Sequence, residues 1–220
     1  MTIIDSLKWR YATKKFDTNK KVSDADIATL KEAIRLTPSS YGFQLYKVIV
    51  VTDQKIKDKL YKESYYQSQI RDCSHLFVFC SYKNVESEHI DEFIELMEKG
   101  RQEDDERAYV DKVKSKAKII MYGTIAKADI GRRDKKETLH WMQKQCYLAV
   151  SQLMVTCADM RIDSCPFEGF STEAYDKILD LGDRNLTSTV LLPVGYRTED
   201  DRHQYRTKIR KPLKKLFEEK

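Results

Sequence analysis

The sequence predicts an α+β fold in which a sheet of roughly four or five strands is sandwiched by helices. Short apolar runs rich in β-branched residues, KVIVV at 47–51, LFVFC at 76–80 and TSTVLLPVGY at 187–196, are typical of buried strands. The segment 137–160 is apolar on almost every face of a helix, which predicts a buried central helix. Since no internal repeat or linker interrupts the 220 residues, we expect one domain over 1–220.

Local signals place the remaining elements. Ser23 is the expected N-cap of the first helix, with Asp26 three residues later and an apolar stripe that begins at Ile27. The run PSSYG at 38–42 ends that helix, and Gly182 is expected to stop the last one. In chain order the predicted elements are a helix at 24–36, a strand at 46–52, a helix at 53–64, a strand at 76–81, two charged helices within 86–130, the central helix at 137–160, a short strand and turn at 162–170, a helix at 171–182 and a strand at 187–196.

Composition argues against several kinds of site and location. The five cysteines form no CxxC pair and the four histidines are scattered singly, so we expect buried thiols and neither a disulfide framework nor a metal site. No apolar run approaches the ~20 residues that cross a bilayer. The N-terminus lacks the features of a secretory signal. The expectation is a cytoplasmic protein with no membrane partner.

No glycine motif for phosphate is present. Neither GxGxxG nor GxxxxGK[ST] occurs in a chain with seven glycines, so a phosphate would need side-chain cations or a helix N-terminus. Residues 202–220 carry eight Lys or Arg and two acids, whereas residues 1–201 have a net charge of −1. A second basic cluster lies at 8–21. Each cluster alone is typical of a solvated surface, but the two could meet around one anion.

Four cations in these clusters are candidate ligands of an anion. Arg10 and Lys14 are four residues apart and would point the same way on a helix or turn. Lys208 and Arg210 alternate, so in an extended strand they would share a face. A non-enzymatic module that binds anions or nucleic acid through both clusters is one alternative.

Two loops and one isolated side chain carry weaker candidates. Ser39 and Ser40 stand beside a proline in a segment typical of a helix-terminating turn. Glu168 and Gly169 follow a short strand, where exposed N–H groups could face a ligand, although Glu168 lacks a nearby partner in sequence for general-base work. Gln69 alone is typical of an ordinary polar surface residue. No GxSxG elbow or local Cys/His pair indicates a nucleophile.

Seven segments, in order, resemble the FMN-dependent nitroreductase family, in particular its branch of oxygen-insensitive NAD(P)H nitroreductases and dihydropteridine reductases. The segments are LKWRYATKKFD at 7–17, TPSSYGFQLYKVIVV at 37–51, DCSHLFVFC at 72–80, WMQKQCYLAVSQLM at 141–154, CPFEGF at 165–170, LLPVGYR at 191–197 and KIRKP at 208–212. The resemblance implies a mixed, mainly antiparallel sheet sandwiched by helices, a long buried central helix and an intertwined homodimer.

The resemblance also implies that FMN is held without a glycine loop. Arg10, Lys208 and Arg210 would bind its phosphate, and Tyr11 and Ala12 would contribute through the same segment as Arg10. Lys14 would lie near the N1 and C2 carbonyl edge of the isoalloxazine ring, where negative charge gathers on reduction. The partner subunit would contribute Pro38, Ser39, Ser40 and Gly42.

Two further groups complete the implied site. Gln69 would face the pyrimidine edge of the flavin, where some relatives carry Lys, and a backbone N–H of Glu168 or Gly169 would be directed at flavin N5. The loop over one ring face would comprise Pro166, Phe167, Glu168 and Gly169. This chain also has Tyr66 where Asn is frequent in the branch, and Leu45 and Tyr46 where Pro and Trp are common.

The implied function is an FMN-dependent NAD(P)H oxidoreductase. It would move two electrons by ping-pong hydride transfer to nitroaromatics, quinones or dihydropteridines, with flavin N5 as the reacting atom, no catalytic side chain and no metal. Family members that are dehalogenases or flavin-consuming enzymes provide a second alternative, which keeps FMN and changes the reaction.

Overall fold

The computed structural model describes residues 2–104 and 109–220, and outside 100–117 it also describes the side chains. It has the helices and strands of an α+β fold, and the predicted class is confirmed. In chain order they are α1 Ile3–Trp9, α2 Asp24–Arg35, β1 Tyr46–Val51, α3 Gln54–Lys62, α4 Ser68–Asp72, β2 His75–Tyr82, α5 Ser87–Asp104, α6 Tyr109–Gly131, α7 Lys135–Asp159, β3 Asp163–Ser164, α8 Thr172–Ile178 and β4 Leu186–Gly195, with 3₁₀ turns at Ser40–Gly42, Gly182–Arg184, Arg202–Tyr205 and Leu213–Lys215.

The strands form a sheet in the order β1-β2-β4-β3, and their pairings are antiparallel. A parallel bridge joins Ala12 to Ser164, so the pairing is mixed and mainly antiparallel, as expected. Side chains of the central strand β2 alternate between two cores. Leu76 and Val78 pack on one face, and Phe77 and Phe79 pack on the other, against α7. Burial of both faces explains why β2 is apolar throughout.

The central helix α7 begins at a capping box, in which Asp134 accepts from the N–H of Glu137 and the Glu137 carboxylate accepts from the N–H of Asp134. Its buried face packs against the sheet and α2, which confirms the prediction of a buried helix. The burial is not complete on every face, because Tyr147 is 43% exposed and Leu148 is 48% exposed. An apolar strip of α7 therefore faces outward within a single chain.

Two short helices are absent from the sequence-based expectation. α1 has seven residues and starts with a capping box between Thr2 and Asp5, and α4 has five residues. Neither contains enough turns for an apolar period of 3.6 residues to stand out. Tertiary packing, rather than intrinsic helix stability, maintains elements of this length.

The expected end of the last helix is wrong. The sequence predicts that this helix stops at Gly182, but α8 ends at Ile178. Asp180 adopts a left-handed φ of 51°, and the N–H of Leu181 donates to the Asp176 carbonyl at 2.9 Å, so the chain leaves the helix before it reaches the glycine. Gly182 instead begins a 3₁₀ turn.

The cysteines match the expectation of buried thiols. All five are free and buried, and burial raises the pKa of the thiols of Cys73, Cys80, Cys146 and Cys157 to about 12. In the described part of the chain, no group of three or more His, Cys, Asp or Glu side chains is arranged to hold a metal ion. Among the described helices, none is long and apolar enough to span a membrane.

Candidate functional site

The two basic segments of the chain meet at the end of α1. Arg10 follows that helix in an extended conformation, and the residues from Tyr11 to Lys14 form neither the helix nor the turn that would align Arg10 with Lys14. The ammonium group of Lys208 donates to the carbonyls of Leu7 at 3.1 Å and Lys8 at 3.2 Å, and also to the carbonyl of Arg10. The expectation that the two clusters meet is confirmed, although Lys208 and Arg210 lie in irregular chain rather than in a strand.

In the region where the two basic segments meet, the positive charge is not fully neutralised by neighbouring residues. Burial lowers the pKa of Arg10, and the neighbouring Arg210 lowers it further. The pKa of Lys208 is also lowered, first by burial and then by Arg10, Arg210 and Arg197. Arg10 Nε is buried and has no hydrogen-bond partner in the described structure. An unpaired buried donor among mutually repelling cations fits an anion with several acceptor oxygens, such as a phosphate.

A buried carboxylate, Asp201, fixes the backbone beside these cations. Asp201 is 1% exposed and accepts hydrogen bonds from the Tyr11 hydroxyl at 2.8 Å and from the N–H groups of Lys14 at 2.8 Å, Lys15 at 3.2 Å and His203 at 3.0 Å. Burial opposes the charged form, but these hydrogen bonds outweigh it and lower the pKa of Asp201 to about 2. The carboxylate thus stays ionised and joins the N-terminal segment to the start of the C-terminal tail.

A second buried carboxylate neutralises Arg197. Asp163 accepts from Arg197 Nε at 2.7 Å and from the Arg197 N–H at 2.9 Å. The guanidinium carbon of Arg197 lies 4.2 Å from the ring centroid of Trp9 and 4.5 Å from that of Tyr11. Because Asp163 balances its charge, Arg197 contributes packing around Tyr11 more than free positive charge.

The loop Pro166–Gly169 lies next to this region. Its start is near the cations, because Lys14 and Arg10 both lower the pKa of Cys165 against the larger, raising effect of burial. Phe167 is buried and exchanges two backbone hydrogen bonds with Leu191 at 2.9 and 3.0 Å, while Pro166 and Glu168 are exposed. Ala12 is tied to the same region through its bridge to Ser164.

The structure supplies the partner that Glu168 lacked in the sequence. The hydroxyl of Tyr147, on the exposed strip of α7, donates to Glu168 Oε1 at 2.7 Å. Burial and the neighbouring Glu168 raise the pKa of Tyr147 to about 12, so the phenol remains a neutral donor. On the other side of the loop, a side chain at Gly169 would lie 3.3 Å from the Gln67 amide and 3.8 Å from the Tyr65 ring.

The segment that leads into α4 has a strained backbone. Tyr65 and Tyr66 adopt left-handed φ values of 54° and 57°, and their side chains are 71% and 67% exposed. Left-handed backbone at bulky residues is uncommon and clusters at functional sites. Gln69, in α4, is 6% exposed, so it is not the surface residue that its sequence context indicated.

The turn Ser39–Gly42 contacts other elements. The Ser40 N–H donates to Gln145 on α7 at 2.8 Å, and the Tyr41 hydroxyl donates to Asp129 on α6 at 3.0 Å. Gly42 has a left-handed φ of 77°, and a side chain there would meet the Phe93 ring of α5 at 2.7 Å. Pro38 directly precedes this turn and follows the last turn of α2.

Four residues of these networks were missed by sequence reasoning: Asp163, Gln145, Arg197 and Asp201. Asp201 accepts from donors up to 190 positions away, so no local motif marks it. The run of three acidic residues at 199–201, directly before a basic tail, is the only signal that could have indicated it. Gln145 was inside the apolar central helix, where a buried amide is itself an unusual feature.

The chain belongs to the nitroreductase family. The model of the "Nitroreductase family" matches residues 7–196. A Staphylococcus saprophyticus protein provisionally named NAD(P)H nitroreductase is 31% identical over 217 residues, which cover 93% of this chain and 92% of that protein. A relative of the same provisional name from Staphylococcus aureus is 33% identical over 207 residues, covering 90% of this chain and 88% of that one.

Solved structures show the same fold. A provisionally named nitroreductase from Exiguobacterium sibiricum, solved in complex with FMN, superimposes with a TM-score of 0.80 at 17% identity and covers 100% of this chain and 98% of its own. A nitroreductase family protein from Streptococcus pneumoniae gives 0.78 at 17% identity, with full coverage of both chains. The chain is accordingly an oxidoreductase of nitroreductase fold, and the non-enzymatic alternative is set aside.

The Asp201 network generates a stability prediction. Asp201→Asn is expected to lower the free energy of unfolding by roughly 2 kcal/mol near neutral pH, because the amide has no charge and less acceptor capacity for the same donors. The native pKa of about 2 is below the unfolded value, so this stabilisation is present above pH ~4 and is lost as pH falls towards 2. Urea unfolding from pH 2 to 7 should show a larger loss in the wild type than in the variant, since other carboxylates with lowered pKa values, such as Asp129, titrate in both.

Asp200→Asn is the matched control, since Asp200 is exposed and pairs only with Lys15 in the described structure. Its effect on the free energy of unfolding should be much smaller than that of Asp201→Asn, because an exposed ion pair contributes little to stability. Equal losses in the two variants would contradict a special role for the buried carboxylate.

Proposed function

We propose that this chain is an FMN-dependent NAD(P)H oxidoreductase that transfers two electrons by a ping-pong sequence to a small electron-poor acceptor such as a nitroaromatic, a quinone or a dihydropteridine. The observation that carries the proposal is the cation cluster at the end of α1, with the buried, unpaired Nε of Arg10. The names of the Staphylococcus relatives support NAD(P)H as donor, and the Exiguobacterium sibiricum complex supports FMN.

The residues of the cluster fit the phosphate of FMN. Arg10 would supply its free buried donor, and Arg210, which bonds only to the carbonyl of Ile209 in the described structure, would supply a second guanidinium. Lys208 is engaged with the carbonyls at the end of α1, so its part would be to hold the tail in place and to add charge. Tyr11 and Ala12 would act through the backbone position that Asp201 and Ser164 impose on their segment.

Other residues would orient the ring. FMN, when bound, supplies the two-electron chemistry at N5, so the protein needs to bind, orient and exclude water rather than to provide an acid or a nucleophile. Lys14 would hold positive charge at the N1 edge, since Asp201 fixes its N–H. Gln69 would hydrogen-bond the pyrimidine edge. The ring face and N5 would be covered by Pro166, Phe167, Glu168 and Gly169.

We propose a homodimer as the working form. In a single chain, apolar side chains of α7, of α1 and of the tail are exposed, among them Leu148 at 48%, Ile4 at 53%, Leu213 at 74% and Phe217 at 67%. The turn Ser39–Gly42 packs on α5, α6 and α7, and it would reach the cofactor of the partner subunit. One domain over 1–220 and a cytoplasmic location, consistent with five free thiols, belong to the same proposal.

FMN binding tests the proposed function directly. The purified protein should bind one FMN per chain, show the visible flavin bands, and lose them when NADH or NADPH is added without oxygen. Arg210→Ala should raise the FMN dissociation constant by about 10- to 150-fold, because a charge-assisted phosphate contact contributes ~1.5–3 kcal/mol. Arg206→Ala, another exposed arginine of the tail, is the control and should bind FMN normally. A colourless protein that ignores excess FMN would refute the proposal.

Lys14 is expected to set the flavin potential. Lys14→Met should lower the two-electron midpoint potential by roughly 20–60 mV, equivalent to ~1–3 kcal/mol, with a smaller effect on FMN affinity. Lys15→Met is the matched control, because Lys15 is exposed and its ammonium group pairs with Asp200 at 2.5 Å. Redox titration of both variants decides the point, and an unchanged potential in Lys14→Met would remove Lys14 from the N1 edge.

Light scattering tests the dimer. In size-exclusion chromatography with light-scattering detection, the wild type should have about twice the 25.9 kDa mass of one chain. Leu148→Glu should shift the population towards single chains, since a carboxylate in an apolar interface is costly to desolvate. Circular dichroism should show that the variant keeps its helices. A wild-type mass of one chain would contradict the homodimer and leave the FMN assignment to be judged by the binding experiment above.

A further inference from the structure

Gln145 of α7 is a buried amide with both ends engaged. It is 6% exposed, its Oε1 accepts from the N–H of Ser40 at 2.8 Å, and its Nε2 donates to the carbonyl of Trp141 at 3.0 Å. The two partners settle the orientation of the amide, because an N–H needs an acceptor and a carbonyl needs a donor. Gln145 thereby connects the central helix to the turn Ser39–Gly42.

These bonds determine which polar groups of the turn remain available. The N–H of Ser40 is engaged by Gln145 and cannot serve a ligand at the same time. Ser39 Oγ accepts from the N–H of Gln44 at 3.0 Å, so the hydroxyl hydrogen of Ser39 is left to donate elsewhere. The turn therefore offers hydroxyl donors rather than its Ser40 backbone N–H.

The turn has a conformation that needs external support. Tyr41, Gly42 and Gln44 have left-handed φ values of 59°, 77° and 47°. Left-handed backbone at tyrosine and glutamine is unfavourable and persists only where the surroundings impose it. α6 supports one side of the turn, where the Tyr122 hydroxyl donates to the Tyr41 carbonyl at 2.9 Å. Gln145 supports the other side, from α7.

We infer, as an extension of the function proposed above, that Gln145 is a positioning residue for FMN. It holds the backbone of Ser40 so that the hydroxyls of Ser39 and Ser40 point as donors at acceptor atoms of the cofactor in the partner subunit. Gln145 does not touch the cofactor itself. Its effect on FMN affinity passes through the Ser40 N–H.

Substitution of Gln145 by glutamate can distinguish this hydrogen-bonding role from a role in packing alone. A glutamate at this position can accept from Ser40 N–H in either charge state, but it can donate to the Trp141 carbonyl only when protonated. Desolvation and the facing carbonyl both disfavour the carboxylate, so its pKa would be raised above the usual value of about 4.3. The protonated form at low pH therefore imitates glutamine, and the ionised form at high pH does not.

The neighbouring ionisable groups keep their charge over the useful pH range. Around the turn these are Tyr41, whose pKa is raised by burial and by its bond to Asp129, and the Asp129–Arg133 ion pair of 2.7 Å. Hydrogen bonds from Tyr41 and Arg133 lower the pKa of Asp129. On α7, Cys146 has a pKa of about 12. His89 of α5 lines the same cavity as Gly42, and because it is present in every variant, its contribution cancels in a ratio to the wild type.

The role is tested by measuring the FMN dissociation constants of the full-length variants from pH 5 to 8. Each value is divided by the wild-type value at the same pH. Gln145→Leu should weaken binding about tenfold or more at every pH. Gln145→Glu should be weakened similarly at pH 8 and approach the wild type as pH falls to 5. Gln54→Leu and Gln54→Glu make the same changes at an exposed position of α3, outside the proposed site and outside the exposed strip of α7, and should give ratios near one throughout.

Each outcome decides the matter. Ratios near one for both Gln145 variants would overturn the role, even if their apo forms unfold at lower temperature, because Gln145 would then only stabilise the fold. A pH-independent ratio for Gln145→Glu would also overturn it. If Gln145→Leu does not fold, the pH dependence of Gln145→Glu still gives the answer. A wild type that binds no FMN would refute the proposed function as well, whereas a wild type that binds FMN beside normal Gln145 variants refutes the positioning role alone.

Discussion

The buried carboxylate of Asp201 is the interaction on which the candidate site depends. One side chain receives hydrogen bonds from Tyr11, Lys14 and Lys15 near the start of the chain and from His203 near its end. Without that acceptor, several buried donors would lack partners and the two basic segments would repel each other. The charge of Asp201 therefore balances part of the positive charge that it helps to gather.

Placing these cations close together costs electrostatic free energy, and a bound anion would offset that cost. Arg10 and Lys208 both have lowered pKa values in this structure, so the charged form of each side chain is less stable here than in water. A bound dianion would reverse that effect and would stabilise the folded chain by mass action. The residues that we propose bind the phosphate of FMN therefore make the ligand-free protein less stable than its hydrophobic core alone would allow.

Much of the fold could be predicted from the sequence, and less of the site. The strands and α7 have strong apolar patterns, and their observed bounds differ from the expected ones by a few residues at most. α1 and α4 were too short to give a period, and the end of α8 depends on Asp180, whose left-handed backbone has no sequence signature. The sequence was sufficient to predict that the two basic clusters meet. The roles of Asp201, Asp163 and Gln145, in contrast, arise from contacts across the fold. Such contacts follow from topology, which local sequence does not encode.

The helix α7 has a consequence for how two sites in a dimer would influence each other. Gln145 and Tyr147 are two positions apart, so they project roughly 200° from each other around the helix. One holds the turn that would serve the neighbouring subunit, and the other holds Glu168 in the loop of its own subunit. One helix thus contacts both the turn and the loop. In the homodimer that we propose, a change in the position of α7 would therefore alter the turn that serves one site and the loop that covers the other together.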